Sequence, residues 1–258
     1  SARMAVLSQL EYRFNLFADA IVQPFLTSII EITLWSAILA STGSETFAGF
    51  PKSSYVAYAL WAAFFSRITT NWMYEYRMID EIETGTVNSI LARPISFYEY
   101  YLGQFLGYKF LTTAVSIVIP IVIVFFISGP TDLSRLPLSL ALISYFLIFA
   151  HTLSFAIASF AFYFNRIHSF TVAKNIALWV LMGELFPLDL MPEQIKQVVL
   201  ALPFASGVYI PVGYLTGRIG ADLILQGFIS VTVGIAVVGL IANLVWTAGR
   251  KAYSGTGA

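Results

Sequence analysis

Few groups able to do chemistry occur in this 258-residue chain, and their spacing excludes most reactions. There is no cysteine, which removes disulfides, thiolate metal sites and cysteine nucleophiles together. His151 and His168 are the only histidines, and neither has a second histidine or a carboxylate at metal-ligand spacing. No Gly-rich loop ending in Gly-Lys-Ser/Thr is present to cradle nucleotide phosphates. A His-Glu-x-x-His pair and a Gly-x-Ser-x-Gly elbow are also missing. Two features remain: a single carboxylate, Glu31, inside a long apolar run, and a dense charge cluster over 75–94 that includes Asp80, Glu81 and Glu83. The sequence therefore reads as a non-enzyme with no metal site and no cofactor of its own.

Composition explains this scarcity. Hydrophobic residues make up 58% of the chain and charged residues 11%, where soluble domains carry about a quarter charged. Mean hydropathy is +0.79. Net charge is zero, so nothing global calls for a nucleic acid or an acidic substrate. A helix needs roughly 20 mostly apolar residues to cross the hydrocarbon layer. Six runs meet that need, at 20–40, 55–73, 101–127, 137–164, 170–186 and 221–247, the fifth being the shortest. Barrel-type alternation is absent. The expected fold is an all-α membrane protein with six transmembrane helices in a single transmembrane domain over 1–258. Of the 14 Lys and Arg residues, ten fall at one set of span ends and four (Lys52, Arg135, Lys196 and Arg218) at the other. The positive-inside rule then puts both termini in the cytoplasm of a multi-pass protein. The first residues show no signal-peptide pattern.

Three segments are not expected to span. Over 1–17, Met4, Leu7, Leu10, Phe14 and Phe17 recur at helical steps among polar residues, the pattern of an amphipathic interfacial helix. Over 76–95, Ile79, Ile82, Ile90 and Leu91 interrupt the charges, Gly85 breaks the helical pattern and Pro94 disfavours helix at Arg93. Ser96 and Glu99 then form a capping box for the next helix. This segment reads either as a short helix shaped to meet a cytosolic partner or as a solvated loop. Over 187–220, Pro192 and Glu193 suit a helix start and Pro203 a stop, in a stretch too apolar for a free loop and too broken to cross. It is expected to form re-entrant or interfacial helices on the outer face.

Within the spans, Glu31 reads in two ways. An ionisable group at membrane depth often marks a transport site, and it serves equally as a protonated carboxyl locking helix packing. His151 and Asn243 suit helix–helix hydrogen bonds, Gly103 and Gly107 a close helix approach, and Pro24 and Pro120 kinks.

The cytoplasmic loop carries a family resemblance. Glu81-Ile-Glu-Thr-Gly85 followed by Ile90-Leu-Ala-Arg93-Pro94-Ile95 resembles the segment after the second span of ABC-2 type permeases, the membrane subunits of ATP-binding-cassette exporters. Leu200-Ala-Leu-Pro203-Phe204, continuing through Tyr209-Ile-Pro211 to Gly217, is similar to their outer segment before the last span. The resemblance implies a permease in the cytoplasmic (inner) membrane of a bacterium, in contact with membrane lipids. It would pair with a second permease, as homodimer or heterodimer, and with two separate ABC ATPase subunits that carry ATP and Mg. It makes the 76–95 segment a coupling helix seated on the ATPase, with Ile79, Glu81, Ile82, Glu83, Gly85, Ile90, Leu91, Arg93 and Pro94 as the coupling residues. Closure of the ATPases would rock the bundles and release an amphiphilic, lipid-like or drug-like substrate outward. The competing readings are an ion-coupled secondary transporter using Glu31 and a non-transporting membrane scaffold.

Overall fold

The computed structural model describes residues 14, 17–41, 46–47, 50–126, 129–164 and 166–253. Apart from the exposed Phe14 and Phe17, the expected interfacial helix over 1–17 lies outside the described residues. A π-helical turn, Ala18–Val22, leads into α1 (Gln23–Ser41). Pro24 falls in the first turn of α1, where its missing N–H has no intrahelical partner to lose. Phe25, Leu26, Ile29, Ile30, Leu34 and Ile38 stay exposed along this helix. A two-residue antiparallel ladder, β1 (Thr46–Phe47) with β2 (Phe50–Pro51), precedes α2 (Lys52–Thr69). Trp35 of α1 stacks on Tyr55 of α2 with ring centroids 5.6 Å apart. The aromatic residues Tyr55, Tyr58, Trp61, Phe64 and Phe65 make α2 a buried helix rather than a lipid-facing one.

Next come α3 (Trp72–Glu83), α4 (Asn88–Leu91), α5 (Phe97–Ser116) and α6 (Val118–Val124). Helix α5 begins at the Ser96 cap, whose hydroxyl accepts the Glu99 amide at 3.4 Å. Pro120 lacks an N–H to extend the ladder, and the break between α5 and α6 falls at Ile117, one turn before it. A central helix, α7 (Leu136–Ser159), is followed by α8 (His168–Leu181), α9 (Glu193–Ala201), α10 (Tyr209–Leu215) and the long α11 (Ala221–Ala252).

Among the described residues, four helical stretches are long and apolar enough to cross a membrane: Ala20–Ser41, Phe97–Val124, Leu133–Phe162 and Ala221–Ala252. They fall on four of the six expected runs. The other two runs overlap α2, which carries Lys52 and Arg67, and α8, which has 14 residues. At 1.5 Å per residue α8 is roughly 21 Å long, short of the roughly 30 Å hydrocarbon layer.

Helices α7 and α11 form the most extensive helix pair, because α11 offers small residues where bulk would hold the two apart. A Cβ on Gly234 would lie 2.8 Å from Pro203 Cγ and 3.0 Å from Phe149 Cε2, so the approach depends on the missing side chain. At the 187–220 end, α10 is almost wholly buried, and its carbonyls must find donors without bulk water. They do. Ser139 Oγ donates to Pro211 O, the amides of Thr216 and Arg218 to Val212 O and Gly213 O, Arg135 Nη1 to Tyr214 O, and the Asp132 amide to Leu215 O. Asp132 anchors the same turn, its carboxyl held below the usual range chiefly by the Ser134 hydroxyl, with the Ser134 amide and Arg135 adding to it.

Candidate functional site

Helix α3 begins where α2 breaks at Thr70 and Asn71, and one of its faces is apolar. Met78, Ile79 and Ile82 are buried, with Tyr74 nearly so. Its end is set by Gly85, whose φ of +81° puts it in the left-handed region that favours glycine. The Val87 amide donates back to Glu81 O at 2.9 Å and closes the turn into α4. Val87 and Ile90 turn inward, while Thr84, Thr86, Asn88 and Ser89 are exposed. The 83–96 stretch is therefore a ledge: an apolar underside keyed into the bundle and a polar upper surface, continuing through the exposed Arg93, Pro94 and Ile95.

Three acids of α3 tie it to α8, which runs antiparallel beside it. Glu75 is fully buried and forms an ion pair with Lys174, whose side chain is 11% exposed. Lys174 Nζ also lies 3.4 Å from Ser154 Oγ of α7, which accepts from Asn71 Nδ2 at 3.1 Å. One and a half turns further on, Asp80 Oδ1 is 3.1 Å from His168 Nε2, and the His168 ring stacks on Tyr76 at 4.8 Å. At the end of α3, Glu83 Oε1 accepts the backbone amides of Arg166 at 2.8 Å and Ile167 at 3.4 Å, just before α8 begins. A carboxylate there satisfies amides that the helix cannot and complements its dipole. Arg166 itself has a φ of +61°, a conformation that a bonded amide helps to hold.

The coupling residues expected from the sequence thus divide into two groups. Ile79, Ile82 and Ile90 are buried under the ledge, and Leu91 packs partly against the core. Glu81 pairs with Arg77 one turn earlier at 3.7 Å, and Glu83 is engaged with the start of α8. Gly85 forms the turn, and only Arg93 and Pro94 of the nine are exposed. Sequence reasoning did not find Glu75, Asn71, Ser154 or Lys174, since Lys174 reads as one more basic residue near a span end. A small cavity of about 160 Å³ borders this cluster, with Arg67, Asn71, Ser154, Lys174 and Glu184 in its wall.

Glu31 is half-buried and makes no ion pair among the described residues. One turn before it, Thr27 Oγ1 accepts from Arg67 Nη2 at 2.9 Å, and Gln23 Oε1 from Arg67 Nη1 at 3.1 Å. At the far end of the bundle, Phe204 packs edge-on against Phe149 at 5.8 Å, and Pro203 fills the notch at Gly234. Tyr209 donates its hydroxyl to Asp189 Oδ1 at 2.6 Å, Pro211 lies within α10, and Gly217 turns the chain with a φ of +72°.

A family model described as "ABC-2 family transporter protein" matches residues 25–257 of the chain. A comparison with curated proteins finds no match.

Proposed function

Because the chain belongs to the ABC-2 family of transporters and is a membrane permease, we propose that it is one half of the membrane part of an ATP-driven exporter. It pairs with a second permease, as homodimer or heterodimer, and with two separate nucleotide-binding subunits that carry ATP and Mg. The family match over 25–257 carries this reading. In it the segments 55–73 and 170–186, the latter made of α8 and the turns that follow it, complete a bundle of six spans in the inner membrane of a bacterium, and both termini are cytoplasmic. Charge supports the orientation. Arg135, Lys196 and Arg218 gather at the 187–220 end, while Arg77, Arg93, Arg166 and Arg250 lie toward the ledge. The 187–220 segment is then the outer, re-entrant part.

The ledge at 83–96 is the coupling segment. The ATPase contacts its exposed surface around Thr86, Asn88, Ser89 and Arg93, and the buried Ile79, Ile82 and Ile90 transmit displacement into the bundle. Glu75, Asp80 and Glu83 pass it on to α8, so α3 and α8 move as one body. Substrate of amphiphilic, lipid-like or drug-like character leaves outward as the two bundles rock. The exposed aliphatic faces of α1 and α11 suit contact with lipid.

The test has two parts. The intact complex drawn from its native membrane in mild detergent is expected to contain two permease-sized chains and two ATP-binding subunits. Replacing Gly85 by Val in that complex is expected to reduce transport-linked ATP hydrolysis at least fivefold without dissociating it. A chain that never associates with an ATPase, even after gentle crosslinking, would sink the exporter reading.

A further inference from the structure

At the 187–220 end lies a pocket of about 610 Å³ between α9, α10 and the start of α11, within the size range of small-molecule sites. Arg218 stands in its wall. The Arg218 side chain is only 1% exposed, yet Nε, Nη1 and Nη2 all lack a hydrogen-bond acceptor among the described residues. Asp189 Oδ2 forms an ion pair with Nη2 at 3.3 Å, though outside hydrogen-bond geometry. Asp189 Oδ1 is already taken, by Tyr209 Oη at 2.6 Å and Lys196 Nζ at 2.9 Å. The guanidinium is held in place by aromatic rings, with Phe50 at 4.1 Å, Tyr55 at 4.5 Å and Tyr58 at 5.3 Å from its centre.

Ring faces balance a cation's charge but accept no hydrogen bonds along its edge. Beyond the Asp189 ion pair and the Tyr55 hydroxyl, the buried guanidinium keeps donor directions open, and its planar fork suits phosphate or carboxylate oxygens. Lys196, part-exposed at the same pocket and paired with Asp189, is a second cation. The Asp189 and Glu193 carboxylates also line the pocket, so the oxyanion must sit on the Arg218 and Lys196 side. Leu200 and Leu223 supply an apolar wall. Polar fork and apolar wall together describe an amphiphile's two ends.

We propose that this pocket binds the oxyanionic head of an acidic amphiphile, with Arg218 and Lys196 as its cationic contacts and the start of the tail against Leu200 and Leu223. The proposal rests on the permease reading only for calling this ligand a cargo. Binding itself is a property of this chain.

The full chain in dodecylmaltoside is titrated with dioctanoyl phosphatidic acid, dioctanoylglycerol and inorganic phosphate, and bound ligand is counted by native mass spectrometry. Dioctanoyl phosphatidic acid is expected to bind at least tenfold tighter than the other two. Arg218→Gln is expected to reduce it to the dioctanoylglycerol level and Arg218→Lys to weaken it at least threefold. Should Arg218 variants fail to fold, Gly220→Phe provides an independent check. A Cβ at Gly220, which lines the pocket, meets nothing within 4 Å, so a phenylalanine is accommodated at the pocket's edge and is expected to obstruct binding. Equal binding of the phosphatidic acid and the diacylglycerol, or tight binding unaffected by Gly220→Phe, would overturn the proposal. Inorganic phosphate binding as tightly as the lipid would overturn the amphiphile and leave a free-oxyanion site. A chain that binds the acidic lipid yet never associates with an ATPase would refute the exporter reading and leave this site standing.

Discussion

Glu75 and Lys174, 99 residues apart in sequence, form an ion pair inside the bundle and join the helix under the ledge to the helix beside it. Breaking a buried pair from one side strands a charge, at a cost of about 3–5 kcal/mol, whereas removing both charges together is often nearly neutral. Glu75→Leu and Lys174→Met are each expected to lower the thermal midpoint of the detergent-solubilised protein sharply. The double variant should recover most of that loss. Additive losses in the double-mutant cycle would show that the two residues do not act as a pair.

Glu83 tests the other end of the same contact. Glu83→Ala leaves the amides of Arg166 and Ile167 without their acceptor, at a cost of about 1–2 kcal/mol confined to the start of α8. Hydrogen exchange over 166–172 is expected to speed up roughly tenfold while the centre of α7 stays protected. Uniform acceleration across the bundle would contradict a local capping role.

Gly234 and Gly239 both lie in α11 but differ in their surroundings. A Cβ at Gly234 meets Pro203 Cγ at 2.8 Å, while one at Gly239 meets only Thr152 Cγ2 at 3.8 Å. Gly234→Ala is therefore expected to destabilise by about 1–3 kcal/mol through overpacking. Gly239→Ala should stabilise by up to about 1 kcal/mol through helix propensity. Thermal midpoints of the two purified variants check both signs, and a tolerated Gly234→Ala would mean that α7 and α11 pack less closely.

The ledge makes a positional prediction that the chain's lack of cysteine renders simple to read. A single cysteine at Ser89, on the exposed surface, is expected to crosslink to the ATPase subunit in the assembled complex. One at Val87, which is fully buried, should not. Crosslinking from Val87 but not Ser89 would invert the proposed coupling face.

A charge reversal at Arg93, which is exposed and carries no ion pair among the described residues, bears on affinity more than on folding. Arg93→Glu is expected to leave the thermal midpoint within about 0.5 kcal/mol equivalent. It should reduce ATPase co-purification several-fold, as gel-band ratios of the pulled-down complex would show. Unchanged co-purification would remove Arg93 from the contact.

Some of this was legible in the chain because it rests on local physics. Long apolar runs dictate helices in lipid, since an unsatisfied backbone cannot remain there. A glycine is suited to a left-handed turn, and Gly85 takes a φ of +81°. A Ser followed three residues later by Glu caps a helix, and Ser96 caps α5. Membership of the ABC-2 family was readable from the motifs around Glu81–Pro94 and Leu200–Gly217 for a related reason: these are stretches whose spacing survives without knowledge of the packing.

What the sequence could not determine was which side of each short helix faces inward and which distant residue it meets. The acids of 75–83 read as a solvent- or partner-facing cluster, yet Glu75 is buried against Lys174 and Glu83 is bonded to the start of α8. Arg218 read as one of four outer cations, and the structure encloses it among Phe50, Tyr55 and Tyr58. Charge counts and hydropathy record what a residue is. Burial and pairing depend on the crossing of helices far apart in the chain, and only the tertiary fold decides where a charge finds its partner or is left with its donors open.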